Sequence, residues 1–441
     1  MSFKSNSINK SAQEILSKGG VFFVLKIAAL LLSYIFSIVV TRYFDETIYG
    51  MVTLGFTILI IVSTICRFGF DITLTKIFAY KDTINYNSVY LKAILLSAGL
   101  SLSIAGIIYF YSEFIATAVF KNAQFSPFLK WTALTIPLWT LVPINASVFR
   151  GLKKNTLFAL FDSFGRFFLT VVFFLVFLNY NFDAGFIEMP LVSHFLSLLL
   201  LLVISSIIIY KILKQTKFPE EGNFRLHLNA SSAIFISSAL FIILSWIDKI
   251  IIGVYTTEDS VGIFHISERV AALIGFNLEA INSILSPKIS RAFSSNNLSK
   301  MQKDINFSVS ISFLLSVASC IIIVIFAETI LGFFGSEYIK GKYILYVFAV
   351  SHLINVSCGS VGNIMQMTGL QKLFSKIVAV ALALHVVLSI FFIQSHGFIG
   401  VAFSTAIAVV FWNVTGAYYI RKKLGVTSFI TLKKLKSLSL F

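Results

Sequence analysis

The sequence predicts an all-α polytopic membrane protein, with about twelve transmembrane helices in two six-helix lobes around a central cavity. Of its 441 residues, 57% are hydrophobic and only 12% are charged, whereas soluble domains carry about 25% charged residues. The apolar residues gather in runs of about 20, the length at which a helix spans the hydrocarbon core. A polar connection near the middle separates six runs from six. This composition excludes a soluble enzyme, a disordered chain and a secreted disulfide scaffold.

Twelve runs are long and apolar enough to span a membrane. They cover residues 20–41, 48–66, 90–111, 127–149, 157–179, 189–210, 229–254, 260–285, 306–327, 343–365, 374–394 and 397–420. The polar residues before the first run lack a small-residue cleavage site, so we expect an uncleaved helix rather than a signal peptide. The expected domains are a cytoplasmic N-terminal segment (1–18), an N-lobe (19–212), a cytoplasmic linker (213–228), a C-lobe (229–420) and a basic cytoplasmic tail (421–441).

The loop charges predict the orientation of these spans. Alternate connections on one side, together with both termini, hold 26 Lys and Arg residues, and the opposite side holds 5. Because positive loops stay in the cytoplasm, we expect both termini there. The net charge of +16 then reflects topology and attraction to anionic lipid, and no nucleic-acid partner is expected. The segment from Gly335 to Lys342 lacks the spacing of a phosphate-binding loop, so ATP is not expected either.

The two halves share a short repeat. A shift of 212 residues aligns Tyr43, Glu46 and Gly50 with Tyr255, Glu258 and Gly262. Two turns on the outer side of the membrane can look alike by chance. However, each predicted half begins on the cytoplasmic side and contains six spans. This parity favours a parallel repeat about an axis along the membrane normal, which is typical of transporters.

Eight Lys, Arg, Asp and Glu residues lie inside predicted spans in addition to those counted with the loops. Each costs about 2.5–3.5 kcal/mol at the centre of a spanning helix and by default marks a wet cavity or an ion path. The bases are Lys26, Arg166, Lys249 and Arg269, and the acids are Asp162, Asp248, Glu268 and Glu279. No nucleophile, acid–base or metal-ligand pattern accompanies them, so neither a catalytic nor a metal site is predicted.

The eighth span carries a continuous polar or small row with Arg269 beside it. Its members recur every three or four residues and therefore share one face of a helix. They are His265, Glu268, Ala272, Gly275, Glu279, Asn282 and Ser286. We interpret the row as a cavity lining, and the alternative is a contact with a neighbouring helix.

A second row of polar or small residues follows the tenth span. It comprises His352, Asn355, Gly359, Asn363 and Gln366, and it fits a cavity lining as well as an interhelical contact. In the fifth span Asp162 and Arg166 are one turn apart, which suits either a structural pair or a functional one. If the repeat holds, Lys26, Lys249 and Arg269 border one central cleft, and such cations suit a diphosphate or another acidic headgroup.

Several segments resemble Wzx-type polysaccharide flippases. The resemblance rests on Val40–Gly50, Phe68–Lys76, Ile247–Gly253 and Leu285–Pro287, and on the span count and six-plus-six division. It implies a member of the multidrug/oligosaccharidyl-lipid/polysaccharide exporter superfamily in the bacterial cytoplasmic (inner) membrane. Such proteins move an undecaprenyl-diphosphate-linked oligosaccharide to the outer leaflet by alternating access, for O-antigen, capsule or exopolysaccharide assembly.

The resemblance also suggests roles for particular residues. Arg269 matches a cavity cation of the family, whereas Lys26 and Lys249 fit less closely, and Arg166 completes the cationic set. Glu268 or Glu279 is the candidate for coupling to H+ or Na+, and no other cofactor is expected. Beside the lipid-linked substrate and membrane lipids, a polymerase and a chain-length regulator are the partners that this class suggests. A multidrug or cation antiporter is the alternative function, followed by a polysaccharide polymerase.

Overall fold

The protein is built from α-helices. A computed structural model describes residues 2–79, 86–179, 186–214 and 224–431, and no strand occurs within these ranges. Eleven of the described helices are long and apolar enough to cross a membrane. The predicted all-α polytopic class is therefore confirmed, whereas the count of twelve spans stays a prediction.

The last helix bears on that count. It runs over 54 residues, Gln371–Leu424, but its backbone leaves the helical conformation at Gly397, where φ is +56°. A left-handed residue of this kind interrupts the helical hydrogen bonding, and glycine adopts it without strain. The interruption falls at the boundary between the predicted spans 374–394 and 397–420.

The chain divides into two compact units. The N-unit comprises residues 1–44 and 55–239, and the C-unit comprises residues 45–54 and 240–441. Two helices contribute to both units, so the units do not coincide with the predicted lobes, whose boundaries stay a prediction.

The N-unit contains nine of the helices. In order they are α1 (Ser2–Tyr43), α2 (Glu46–Arg67), α3 (Phe70–Ala79), α4 (Tyr86–Phe110), α5 (Ser112–Phe114), α6 (Phe125–Gly151), α7 (Asn155–Ala159), α8 (Gly165–Asn179) and α9 (Met189–Lys214), with α2 contributing its later part. Two five-residue π-helical turns, Ile115–Val119 and Leu160–Phe164, interrupt this series.

Helix α3 was not among the sequence predictions. Its ten residues are too few to span a membrane, so a search for long apolar runs passes over it. It nevertheless buries Phe70, Leu74, Ile77 and Phe78 in the core of the N-unit.

The C-unit contains the remaining helices. After α10 (Phe224–Tyr255), which begins in the N-unit, come α11 (Glu258–Ser294), α12 (Leu298–Ile325), α13 (Ala327–Gly332), α14 (Lys342–Cys358), α15 (Val361–Met367) and α16 (Gln371–Leu424). A 3-10 turn over Ser336–Gly341 precedes α14.

The two segments of the 212-residue repeat have the same local structure and meet inside the C-unit. Helices α2 and α11 begin at Glu46 and Glu258. A Cβ added to Gly50 would lie 1.8 Å from the carbonyl oxygen of Glu258, and one added to Gly262 would lie 2.6 Å from that of Glu46. The contact is reciprocal, and each glycine permits the close approach of the other helix.

Candidate functional site

In the N-unit, a lysine of α1 is ion-paired with the π-helical turn Leu160–Phe164. The Lys26 Nζ lies 2.7 Å from Asp162 Oδ2 and donates to Ser163 Oγ at 2.6 Å. The side chains of Lys26 and Asp162 are 36% and 28% exposed, so the pair is accessible. It also lies over the ring of Phe158, with the Nζ 5.3 Å from the ring centroid.

The π-helical turn explains why Asp162 is paired with α1. On a regular α-helix residues i and i+4 are neighbours, and the sequence therefore suggests a pair between Asp162 and Arg166. A π-turn holds an extra residue, which changes the direction of the side chains that follow it, and such turns are frequent at functional sites. Here the turn directs Asp162 to Lys26.

Arg166 is held by an aromatic ring of α6. Its guanidinium carbon lies 4.2 Å from the centroid of Trp139, which is a cation–π arrangement. Among the described residues no hydrogen bond is formed by this guanidinium, and its Nε is buried without a partner. Within the described ranges, the terminal N–H groups of Arg166 thus remain able to donate to an anion, and Asp162 is the acid that acts on this guanidinium electrostatically.

A further cation of the N-unit was missed from the sequence. The guanidinium of Arg150 lies 5.1 Å from the centroid of Phe158, so both Arg150 and Lys26 make cation–π contacts with this ring. Because Arg150 directly follows the predicted span 127–149, it is counted among the loop charges. No sequence signal linked it to Phe158, which follows on a different helix.

In the C-unit, the predicted cation Lys249 lies in a buried ionic cluster. Its side chain is 1% exposed and that of Asp248 is 0% exposed. The Nζ lies 3.0 Å from Asp248 Oδ1 and 2.5 Å from Glu268 Oε2, and it donates to the carbonyl oxygen of Ser245 at 3.2 Å. An ammonium has three N–H donors, and these three oxygens match them. The assignment of Lys249 to substrate binding stays a prediction, but its contacts indicate a different use.

The predicted polar row of α11 is the accessible face of that helix. Ala272 and Glu279 are exposed, and the other members, His265, Glu268, Gly275, Asn282 and Ser286, are half-buried, as is Arg269. Five aliphatic residues of α11 are instead buried in the C-unit, namely Ile266, Val270, Ile274, Leu278 and Leu285, whereas Ile284 is exposed. A lipid-facing helix would expose its apolar side, so this polar accessible face is typical of a helix that borders water.

The row of the tenth predicted span contacts the row of α11. A Cβ added to Gly275 would lie 3.1 Å from His352 Nδ1, and Asn363 Nδ2 donates to the carbonyl oxygen of Asn282 at 3.5 Å. His352, Asn355 and Asn363 all remain half-buried. Both interpretations of this row thus have support, because it joins two helices and stays partly accessible.

The described helices define the fold of a multi-pass membrane protein. Solved structures with the same fold include "Lipid II flippase MurJ, inward closed conformation", with a TM-score of 0.75 at 14% identity over 95% of this chain and 90% of that chain. A MOP superfamily transporter from Pyrococcus furiosus has a TM-score of 0.68 at 14% identity, over 92% and 95% of the two chains. An inward-facing multidrug resistance MATE family transporter has a TM-score of 0.69 at 13% identity, over 92% and 98%.

Sequence comparison identifies the family. The chain matches the family described as Polysaccharide biosynthesis protein over residues 15–293, and it belongs to that family. The predicted resemblance is thereby confirmed. Residues 233–391 also match the MatE family.

Two curated relatives carry descriptive names. The "Probable low-salt glycan biosynthesis flippase Agl15" of Haloferax volcanii is 28% identical over 224 residues, which is 51% of this chain and 46% of that protein. The "Capsular polysaccharide biosynthesis protein CapF" of Staphylococcus aureus is 26% identical over 245 residues, or 53% and 62% of the two chains. The chain thus spans about half the length of the curated relatives it matches.

Proposed function

We propose that this protein is a flippase that moves undecaprenyl-diphosphate-linked oligosaccharide units from the cytoplasmic to the outer leaflet, for the synthesis of a surface polysaccharide. The observation that carries the proposal is the Arg166 guanidinium on a membrane-length helix, stacked on Trp139 with N–H donors unused among the described residues. A cation kept in that state inside an apolar protein requires an anionic partner. Family membership and the names of the relatives support a lipid-linked glycan as that partner.

Different side chains suit different parts of the proposed substrate. Arg166 in the N-unit and Arg269 in the C-unit each offer a planar guanidinium, a group that can form two hydrogen bonds with a phosphate. Lys26 adds a point charge that Asp162 keeps in position. The polar row of α11 provides hydrogen-bonding groups for the sugars, and the prenyl chain stays in the lipid.

The loop charges support the direction of transport. With 26 basic residues on the side of the termini and 5 on the other, both termini face the cytoplasm, where lipid-linked oligosaccharides are made. The protein then acts in the bacterial cytoplasmic membrane by alternating access, driven by an ion gradient or the membrane potential. A polymerase and a chain-length regulator would receive its product.

A cation antiporter is the second candidate. The observation that favours it is the presence of two carboxylates, Glu268 and Glu279, on the accessible face of α11, together with the MATE-type fold. An antiporter of that kind would export cationic dyes, so dye efflux from cells that overproduce the protein separates the two functions.

Substitution of Arg269 tests the proposed function. We expect Arg269→Ala to abolish surface polysaccharide and to leave lipid-linked oligosaccharide accumulated at the inner leaflet, because a diphosphate contact is lost. Arg269→Lys should retain part of the export, since the charge remains. Polysaccharide would be measured in a deletion strain that carries each variant, with the amount of membrane-inserted protein as the control. Full export by the alanine variant would remove Arg269 from the site, and dye efflux without glycan export would support the antiporter.

A further inference from the structure

We propose that His194 is a positioning residue, which fixes the indole of Trp139 and through it the guanidinium of Arg166. The three residues belong to α9, α6 and α8, and all of them lie within the N-unit. The proposal deepens the proposed function, on which it rests for the diphosphate as the ligand of Arg166. It names the buried side chain that sets the orientation of this ligand contact.

Three aromatic rings of the N-unit contact one another. The centroid of His194 lies 4.8 Å from that of Trp139 and 4.9 Å from that of Phe56, and the Phe56 and Trp139 centroids are 6.4 Å apart. Trp139 is 7% exposed and His194 is 1% exposed. In a close-packed interior, a ring that contacts two others cannot turn unless they move. The guanidinium carbon of Arg166 lies 4.2 Å from the centroid of the same indole, so the orientation of the indole decides where this cation lies.

A hydrogen bond from α8 holds the imidazole. The hydroxyl of Thr170 donates to the carbonyl oxygen of Arg166 at 2.7 Å, and it lies 2.9 Å from His194 Nδ1. A hydroxyl has one proton to donate, so Thr170 accepts from the ring, and we assign a hydrogen to Nδ1. The buried Nε2 has no partner among the described residues, so a second ring proton would lack an acceptor there. His194 is therefore a neutral ring in a fixed orientation, and it adds no positive charge beside Arg166.

Helix α9 holds both ends of Arg166. Ser197 lies one turn after His194 on this helix, so the two side chains share a face. The Ser197 hydroxyl donates to the carbonyl oxygen of Arg166 at 2.8 Å, and His194 acts on the side chain through Trp139. A guanidinium forms two parallel hydrogen bonds with a phosphate only in a defined plane. A side chain that is held in place before binding loses less entropy when the ligand arrives.

Packing alone does not account for a histidine at this position. Burial of a polar nitrogen without a hydrogen-bond partner costs free energy, and His194 Nε2 is such an atom among the described residues. A phenylalanine would fill similar space without this cost. It would lack the N–H group that Thr170 orients, and with it the fixed plane of the ring.

The fluorescence of Trp139 tests the positioning without transport. In a purified protein whose other tryptophans are replaced by phenylalanine, we expect Thr170→Val and His194→Leu to raise the amplitude of nanosecond indole motion severalfold in time-resolved anisotropy. Thr170→Ser should restore the wild-type decay, because the hydroxyl remains. Thr140→Val is the matched control, since its buried hydroxyl donates to the carbonyl oxygen of Ile136 in its own helix.

Two outcomes of this measurement would overturn the proposal. One is unchanged indole motion in Thr170→Val and His194→Leu, and the other is an equal increase in Thr140→Val. Because valine has nearly the shape of threonine, Thr170→Val decides the matter if His194→Leu does not fold.

A binding measurement then links the positioning to the ligand. We expect Thr170→Val to raise the Kd of the purified protein for undecaprenyl diphosphate about twofold to tenfold, within the range of a cation–π contact. In Arg166→Gln the same substitution should leave the Kd unchanged, because the two residues act on one contact. Equal weakening in both backgrounds indicates a general loss of structure and would overturn the proposal. No binding by the wild type would refute the proposed function, and the indole motion alone would then decide whether His194 fixes Trp139.

Discussion

At the residue scale, the cations within the predicted spans have different contacts in the two units. Lys249 is enclosed by oxygens of its own unit, while Arg166 is supported by a ring and keeps N–H groups unused among the described residues. The difference follows from the number of nearby acids, because Lys249 has two carboxylates within 3.0 Å. Of these two cations, Arg166 is therefore better suited to an anionic ligand.

The role of Trp139 in holding Arg166 can be measured. We expect Trp139→Leu to lower the apparent affinity for the lipid-linked substrate about twofold to thirtyfold, since a partly desolvated cation–π contact contributes about 0.5–2 kcal/mol. Titration of transport rate against substrate concentration would show the change. Trp131→Leu on the same helix is the control, because Trp131 packs on Phe195; an equal loss in both variants would mean that general packing, and not the stack, is responsible.

At the element scale, the ends of helices are held by close backbone contacts. The first turns of α2 and α11 approach through Gly50 and Gly262. The segment after α16 is held in a comparable way: Gln302 accepts from the N–H of Thr427 at 2.8 Å and donates to its carbonyl at 2.9 Å. The N–H of Ile430 donates to the carbonyl oxygen of Ser357 at 2.8 Å. This last contact lies beside Gly359, the break between α14 and α15.

The glycine contact has a direct test. We expect Gly50→Ala to reduce the yield of folded protein sharply, because its Cβ would overlap the backbone of Glu258, which no side-chain rotation can relieve. Gly99→Ala is the matched control: nothing lies within 4 Å of its added Cβ, and alanine favours the helix by about 1 kcal/mol. Size-exclusion chromatography of both variants would show the difference, and a well-folded Gly50→Ala protein would contradict the packing.

The segment after α16 should contribute to stability. We expect Gln302→Ala to destabilise the protein by about 1–3 kcal/mol, because two backbone groups of Thr427 lose their partner. Thermal unfolding in detergent would measure this change, with Gln371→Ala, whose described contact uses only the backbone carbonyl, as the control. Equal melting of Gln302→Ala and wild type would show that the segment is held by other contacts.

At the scale of the whole molecule, the distribution of loop charges predicts which ends of the helices face the cytoplasm. The predicted loops hold 26 basic residues on one side and 5 on the other, and the basic side is expected in the cytoplasm. The proposed direction of transport depends on this orientation.

Cysteine labelling can test the orientation. The three native cysteines are buried, so we expect them to react little with the label. We expect Gln124→Cys, in the exposed turn before α6, to react with a membrane-impermeant maleimide in intact cells. Ser295→Cys, in the exposed turn after α11, should react only after the membrane is opened. The reverse pattern would invert the topology and the proposed direction of transport.

The sequence by itself determined the all-α membrane class, the family, the polar row of α11 and the repeat around Gly50 and Gly262, because each of these follows from local composition or regular spacing. Only the tertiary structure decided which charges are paired. It placed Asp162 against Lys26 through a π-helical turn, enclosed Lys249 between Asp248 and Glu268, and set Arg166 on Trp139. These contacts join residues from different helices or from irregular turns, and helical periodicity carries no information about such distances.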